Sequence, residues 1–182
     1  MTEIIPPSAP FAAIILAAGK GTRMKSDLHK VLHPIAGQPM LMHLLGTLDA
    51  LKASAEVVIV GAGREQVEAA VASRGVKMAV QEPQLGTAHA VQQAEAALAG
   101  FEGDVLILYG DVPMVRAETC ARMLARLHDA DTPAVVVLGF RPAAALAYGR
   151  IITDDHGAIA RMVEYKDATP EERAVDLCNS GL

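Results

Sequence analysis

The sequence has little aromatic character, few cysteines and no long apolar run. Its 182 residues include three Phe, three Tyr and no Trp, so a core has to be built from aliphatic side chains. The two cysteines, Cys120 and Cys178, lack CxxC spacing, which argues against a disulfide framework or a zinc site and favours a cytoplasmic protein. No run approaches the roughly 18 apolar residues that span a bilayer, so no membrane association is expected.

The sequence also lacks an excess of positive charge. Its formal net charge is −5, whereas nucleic-acid-binding surfaces are basic stripes, so nucleic acid is not expected as a partner. Residues 1–10 contain three prolines and no basic segment, which predicts a flexible tail rather than a signal peptide. The apolar fraction of 52% predicts that residues 11–182 form one globular domain.

Short apolar runs alternate with helical patterns over most of the chain. This alternation predicts an α/β fold in which helices cover a mostly parallel sheet. The predicted strands are Phe11–Ala18, Val57–Val60, Val76–Val80, Val105–Tyr109 and Ala134–Gly139. The predicted helices are Met40–Lys52, Glu65–Ser73, Ala88–Leu98 and Glu118–His128. Beyond residue 140 the pattern changes to a hairpin (150–164), a short helix (170–175) and the start of a strand (177–182).

A glycine-containing loop, Gly19-Lys20-Gly21-Thr22-Arg23, follows the first predicted strand. Such a loop brings backbone N–H groups close to a ligand, and its basic side chains, with Lys30 beyond them, suit a polyphosphate. The order of residues excludes a P-loop, and Met24 stands where a dinucleotide fingerprint requires glycine. Gly61-Ala62-Gly63 fails the same test at Gln66. An ordinary strand-to-helix turn is the alternative interpretation of the loop.

Several motifs in a fixed order resemble those of nucleotidyltransferases that activate sugar phosphates. Leu16–Met24 resembles the glycine-rich signature L-x-A-G-x-G-T-R-M of that superfamily. A narrower resemblance is to the uridylyltransferase half of the bacterial bifunctional enzymes that make UDP-N-acetylglucosamine. It rests on SDLHKVLH (26–33), QLGTAHA (84–90), YGDVP (109–113), YGRI (148–151), VEYKDA (163–168) and NSG (179–181). The resemblance implies a Rossmann-like, GT-A-like nucleotidyltransferase fold of three layers, incomplete at its C-terminus.

The resemblance also implies a reaction and its residues. The enzymes join UTP and N-acetylglucosamine 1-phosphate and release pyrophosphate, so UTP and the sugar phosphate are the expected partners. Arg23 and Lys30 would stabilise charge on the phosphates. The implied nucleotide-binding residues are Leu16, Ala17, Ala18, Gly19, Lys30, Gln81, Gln84, Gly86 and Thr87.

A second set of residues is implied for the metal and the sugar phosphate. Asp111 follows a buried strand at its carboxyl end and would hold Mg²⁺. The implied substrate-binding residues are Tyr109, Gly110, Asp111, Gly149, Glu164 and Asn179. The alternatives are ordinary structural roles: a turn or cap residue for Asp111, and loop or solvated positions for Gly149, Glu164 and Asn179.

The chain departs from the pattern that it resembles in two respects. His29 stands where a proline usually precedes the lysine, so the Lys30 loop is expected to be less pre-organised. A second metal ligand, an Asn, and the C-terminal acetyltransferase β-helix would lie beyond residue 182. A monomer or weak oligomer is therefore expected, since the resembled enzymes oligomerise through that domain. A non-catalytic nucleotide-binding fragment and a transferase for another base, such as cytosine, remain alternatives.

Overall fold

The computed structural model describes residue 7 and residues 9–19, 21 and 24–180. The chain separates into two compact units, Met1–Pro133 and Ala134–Leu182. The predicted flexible tail falls largely on residues outside the described ranges, and so does Arg23. Within those ranges, no helix has both the length and the apolar character of a membrane span.

A parallel four-stranded sheet forms the centre of the described part of the first unit. Its strands are β1 (Phe11–Leu16), β4 (Ala55–Val60), β5 (Lys77–Val80) and β6 (Asp104–Tyr109), in the order β5-β4-β1-β6. The central strand β1 is paired on both sides, with Ile14 opposite Val57 and Ile107. Its near-continuous apolar sequence matches this position, since a strand covered on both faces contains no alternating polar residues.

Helices and short turns connect the strands of this unit. The helices are α1 (Met40–Leu51), α2 (Arg64–Val71), α3 (Thr87–Gln92) and α4 (Ala117–Arg126), with 3-10 turns at Lys30–Leu32 and Ala96–Leu98. A two-stranded hairpin, β2 (Pro34–Ile35) and β3 (Gln38–Pro39), precedes α1. The apolar residues of α1 recur every three or four positions, which buries one stripe of the helix: Met40, Leu41, Leu44, Leu45, Leu48 and Leu51. The core is thus mainly aliphatic, as the composition predicts, and it includes the ring of Phe11.

The second unit is an antiparallel sheet. Its strands are β7 (Gly139–Phe140), β8 (Arg150–Thr153), β9 (Ile159–Val163) and β10 (Cys178–Asn179), in the order β7-β10-β8-β9. The predicted hairpin is present as β8 and β9, which pair with Ile151 opposite Met162. Helix α5 (Pro170–Arg173) begins with a capping box, in which Thr169 and Glu172 bond each other's backbone N–H.

The parallel sheet and the α/β class are confirmed, but two predicted elements are wrong in extent. The strand predicted at Ala134–Gly139 does not form, and only Gly139 and Phe140 pair, with β10. A β-branched run favours extended backbone, but a strand also needs a partner, and Val135 is 70% exposed. The helix predicted over Ala88–Leu98 is interrupted after Gln92, where i to i+3 hydrogen bonds lead into a 3-10 turn.

Candidate active site

The first unit contains a cavity of about 390 Å³ at the carboxyl ends of its parallel strands. This edge is where open α/β sheets bind ligands. The cavity is lined by segments that directly follow β1, β5 and β6, and by the 3-10 turn that carries Lys30. All nine residues predicted to bind nucleotide contribute to it: Leu16, Ala17, Ala18, Gly19, Lys30, Gln81, Gln84, Gly86 and Thr87.

The backbone after β1 is fixed by its neighbours. Ala17 N–H donates to the Ile59 carbonyl at 2.8 Å, and Gly110 N–H donates to the Leu16 carbonyl at 2.9 Å. Gly110 is buried, and a Cβ there would lie 2.9 Å from Val31 Cγ1. Gly110 thus permits the close approach of the β6 end to the β1 end, beneath the cavity wall formed by Tyr109 and Asp111.

The glycine loop lies against the Lys30 segment. Gly21 has φ +58°, and a Cβ at this position would lie 2.8 Å from Lys30 Cβ. A side chain would therefore be strained both by the backbone conformation and by the contact. The described part of the loop thus meets the predicted partner lysine directly, whereas the predicted role of Arg23 lies outside the described residues.

Two glutamines that follow β5 use their amide groups to hold the cavity wall. Gln81 is 5% exposed, and its Nε2 donates to the Gly86 carbonyl at 2.8 Å. The same Nε2 lies 3.2 Å from His89 Nδ1. Gln84 Nε2 donates to the carbonyl of Ala18. These bonds tie the predicted base-reading segment to itself and to the β1 loop, and an amide that donates in this way still has its oxygen as an acceptor.

Gly61 lies behind the cavity wall and is absent from the motifs above. It follows β4 directly, and a Cβ there would lie 2.6 Å from Gln84 Nε2 and 2.8 Å from the Ala18 carbonyl oxygen. Its absence of a side chain is therefore what lets Gln84 reach Ala18. A glycine immediately after a buried strand is the sequence signal for such a position, although Gly61-Ala62-Gly63 does not fit a dinucleotide fingerprint.

Lys30 and Asp111 form an ion pair at the cavity. Lys30 Nζ contacts Asp111 Oδ2, and both side chains are roughly one-third exposed. Asp111 is the one carboxylate among the described residues that line the cavity, and no group of three or more metal-ligating side chains occurs within the described ranges. A single carboxylate fits Mg²⁺, which usually takes one or two from protein and completes its shell with phosphates and water.

The residue before Lys30 is a buried histidine. His29 is 8% exposed, neither ring nitrogen has a hydrogen-bond partner among the residues that the structure describes, and burial lowers the pKa of the imidazole. A neutral ring at this position is thus favoured over a charged one. The buried neighbours Val31 and Leu32 anchor the same turn from the other side of Lys30.

The second unit brings together the three residues predicted to bind the sugar. A Cβ on Gly149 would lie 3.7 Å from both carboxylate oxygens of Glu164 and 3.3 Å from the Val163 carbonyl oxygen. Asn179 N–H donates to the Gly149 carbonyl at 2.9 Å. The three residues are therefore neighbours at the ends of β8, β9 and β10, although they are up to 30 positions apart in sequence.

A parallel α/β sheet, a glycine loop after its first strand and a lysine–aspartate pair in the adjoining cavity are the features of a nucleotidyltransferase domain. The comparison with protein families agrees with this class. Residues 13–164 match the MobA-like NTP transferase domain. The chain belongs to that family.

Curated relatives show which nucleotidyltransferases the chain resembles in sequence. The chain is 73% identical over 173 residues to the bifunctional protein GlmU of Rhizorhabdus wittichii, and 66% identical over 174 residues to that of Novosphingobium aromaticivorans. These alignments cover 95% and 96% of the chain, but 38% of each relative. The chain thus spans less than two-fifths of the length of these relatives. The resemblance inferred from the motifs is confirmed.

Solved structures support the fold independently. A UDP-glucose pyrophosphorylase complexed with UDP-glucose superposes with a TM-score of 0.72 at 18% identity, covering 94% of this chain and 74% of its own. CMP:2-keto-3-deoxy-manno-octonic acid synthetase complexed with CTP gives 0.68 at 22%, with 94% and 72% covered. At these identities the comparison establishes the nucleotidyltransferase fold alone.

Proposed function

We propose that this chain catalyses uridylyl transfer from UTP to N-acetylglucosamine 1-phosphate, giving UDP-N-acetylglucosamine and pyrophosphate. The observation that carries the proposal is the cavity at the carboxyl ends of β1, β5 and β6, which all nine predicted nucleotide-binding residues line. The motif resemblance supplies the substrate class, and the identity of 66–73% to bifunctional proteins named GlmU supports that resemblance.

The reaction needs no covalent enzyme intermediate. A phosphate oxygen of the sugar phosphate attacks the α-phosphorus of UTP, the new P–O bond forms, and the bond to the β-phosphate breaks. Pyrophosphate leaves with the electron pair of that bond. The protein therefore acts by holding the reacting groups in line and by stabilising negative charge.

In this scheme Lys30 and Asp111 would give up their mutual contact, Lys30 for the substrate and Asp111 for a cation. The ammonium group of Lys30 would approach the phosphate oxygens, and Asp111 would hold a divalent cation, most simply Mg²⁺. When bound, the cation neutralises phosphate charge and orients the triphosphate. Backbone groups at Ala18 and Gly19 would contact the nucleotide, and Arg23 would add positive charge.

The base and the sugar would be recognised by separate sets of residues. The acceptor oxygens of Gln81 and Gln84 can take the N3–H of uracil, with Gly86 and Thr87 beside the nucleoside. Tyr109 and Gly110 would flank Asp111 at the substrate. The carboxylate of Glu164 and the amide of Asn179 can bond sugar hydroxyls and the N-acetyl group, and Gly149 would allow close approach.

Pyrophosphate release from Mg²⁺, UTP and N-acetylglucosamine 1-phosphate tests the proposal. Lys30→Met and Asp111→Asn should each lower kcat/KM by about 100-fold or more, since each removes charge stabilisation at the phosphates. Matched controls are Lys52→Met and Asp129→Asn, which alter exposed residues that do not line the cavity. Equal activity of Lys30→Met and Lys52→Met would contradict the assignment.

Calorimetry and the pyrophosphate assay together test the two alternatives, a non-catalytic nucleotide-binding domain and a transferase for another base. UTP or UDP-N-acetylglucosamine binding in a calorimeter without pyrophosphate release would identify a non-catalytic nucleotide-binding domain. The ion pair between Lys30 and Asp111, in which each group satisfies the charge of the other, is the observation that favours this candidate. Faster turnover of CTP than of UTP would instead make the chain a transferase for another base.

A further inference from the structure

Gln66 of helix α2 bonds the backbone on both sides of Leu28, just before the turn that carries Lys30. Its side-chain Oε1 accepts the His29 N–H at 2.8 Å, and its Nε2 donates to the Asp27 carbonyl at 2.9 Å. Both partners are backbone groups, 37 and 39 positions away in sequence. The Gln66 side chain itself is exposed, so it contributes little to the core.

These two bonds act on the segment that determines where Lys30 lies. His29 is the residue at which the 3-10 turn Lys30–Leu32 begins, and its carbonyl accepts the Leu32 N–H at 2.9 Å. Below the segment, the His29 ring and the side chains of Val31 and Leu32 are buried. The backbone is therefore held from the core by apolar packing and from the outer side by Gln66.

We propose that Gln66 is a positioning residue that fixes the backbone of residues 27–29 and thereby directs Lys30 into the cavity towards Asp111. Its consequence for catalysis rests on the proposed function, whereas its effect on the segment does not. A side-chain amide is suited to this task because it offers one acceptor and two donors in a rigid plane. Without both bonds, residues 27–29 would be restrained only by the apolar packing on their core side.

The hydrogen-bonded N–H of His29 supplies a specific rescue. His29 has φ −55°, which lies within the range that a proline ring imposes, and Pro has no N–H to satisfy. His29→Pro would therefore replace the bond to Gln66 by a covalent restraint of the same backbone angle. If Gln66 served only to stabilise helix α2, His29→Pro would not restore the kcat that Gln66→Leu lowers.

The variants are Gln66→Leu, which removes both bonds, and Gln66→Glu, which keeps only the acceptor for His29. Gln66→Leu should lower kcat by about 10- to 100-fold, the range caused by small displacements of a group at the phosphates. The KM for UTP should change less than about threefold, because the bonds affect the transition state more than the ground state. Gln66→Glu should lie between, and Gln66→Leu/His29→Pro should recover most of kcat.

Two measurements do not depend on turnover. In Gln66→Leu the His29 amide should exchange with deuterium at least about tenfold faster. The Lys30 amine should also be acylated several-fold faster, with Lys52 of the same protein as internal reference. Gln92→Leu, a change at an exposed helical glutamine that does not line the cavity, is the matched control and should alter neither rate.

The outcomes separate this proposal from the proposed function. Faster exchange at His29, faster acylation of Lys30 and a lower kcat in Gln66→Leu support the positioning role. Recovery of kcat in Gln66→Leu/His29→Pro shows that Gln66 acts through the backbone of residue 29. Unchanged exchange at His29, or unchanged acylation of Lys30, in a folded Gln66→Leu protein would overturn it. If the unmodified chain shows no turnover but exchange and acylation still rise, the enzymatic proposal fails while the positioning of Lys30 by Gln66 stands.

Discussion

The two units of the chain exclude water from their interiors in different ways. The first unit buries aliphatic side chains between a parallel sheet and amphipathic helices, with Ile14, Val57 and Ile59 at its centre. The second unit is small and antiparallel, and its largest fully buried side chain is Arg150, which is 2% exposed. A charged group thus occupies a position that a leucine or isoleucine would take in the first unit.

Within the described part of the chain, Arg150 is stabilised by backbone carbonyls rather than by a carboxylate. Its guanidinium donates to the carbonyls of Ala145 at 3.3 Å, Leu146 at 3.1 Å and Arg173 at 3.3 Å, and also to that of Tyr148. The ring of Tyr165 lies 5.4 Å from the guanidinium carbon. Five fixed N–H groups can gather several carbonyls at once, which aliphatic packing cannot do. A unit of few residues can bury only a small apolar core. Hydrogen bonds to the Arg150 side chain therefore supply part of the stability that apolar burial supplies in the first unit.

The largest expected effect is that of removing this guanidinium. Arg150→Met should destabilise the second unit by about 4 kcal/mol, because the carbonyls of Ala145, Leu146, Tyr148 and Arg173 lose the charged donor that they share. Hydrogen exchange should accelerate in peptides from residues 148–163 and not in those from β1 and β4. The control Arg161→Met breaks the ion pair between the exposed Arg161 and the partly buried Glu172, and should cost about 1 kcal/mol. Equal effects of the two variants would contradict the role of Arg150.

The corresponding change in the first unit is a cavity in its aliphatic core. Leu45 is fully buried on α1, and Leu45→Ala should cost about 3 kcal/mol in the free energy of unfolding. Urea denaturation measures the loss, and exchange should accelerate in β1 and β4. Met114→Ala, at a side chain that is 71% exposed, is the control and should stay within about 0.5 kcal/mol. If Leu45→Ala accelerates exchange most in the second unit, the two interiors are not separate.

The contrast also explains what could be predicted from the sequence. The strands of the first unit were predictable because continuous apolar runs are typical of parallel strands buried on both faces. The burial of Arg150 was not, since its partners are carbonyls, which every residue possesses. The strand predicted at 134–139 failed for a related reason: apolar β-branched residues indicate extended backbone, but the neighbour that a strand requires is not encoded locally.

In the candidate site, too, residues within local motifs could be predicted, whereas contacts between distant residues could not. Residues of the β1 loop and of the Gln81–Thr87 segment were predicted through motif resemblance, and they do line one cavity. Their roles in binding stay predictions. Gly61 and Gln66 were missed, because each matters through a residue far along the chain: Gly61 by making room for Gln84, and Gln66 by bonding His29. Local patterns carry no information about such pairs.

Glycine substitutions compare the two units at or beside their predicted ligand positions: Gly61 lies against Ala18 and Gln84, and Gly149 is itself a predicted sugar-binding residue. Gly61→Ala should weaken UTP binding by about tenfold, or about 1.4 kcal/mol, since the added methyl would displace the Ala18 backbone or Gln84. Gly149→Ala meets its nearest atom at 3.3 Å and should weaken UDP-N-acetylglucosamine binding by less than about threefold. Calorimetry measures both affinities. Gly46→Ala has nothing within 4 Å and should leave both unchanged; a larger loss for Gly149→Ala than for Gly61→Ala would reverse the comparison.

The smallest expected effect is a pH dependence that belongs to the first unit. Burial lowers the pKa of His29 in the folded state, so below the ordinary histidine pKa of about 6.5 the unfolded chain binds a proton that the folded one does not. Stability therefore falls as the pH falls through this range and is insensitive to His29 above it. The urea midpoint should drop between pH 7.5 and pH 5.5 by less in His29→Gln than in the unmodified chain. His156→Gln, at an exposed turn of the second unit, should leave the drop unchanged. If His29→Gln does not reduce the drop, the His29 imidazole is protonated as readily in the folded protein as in water.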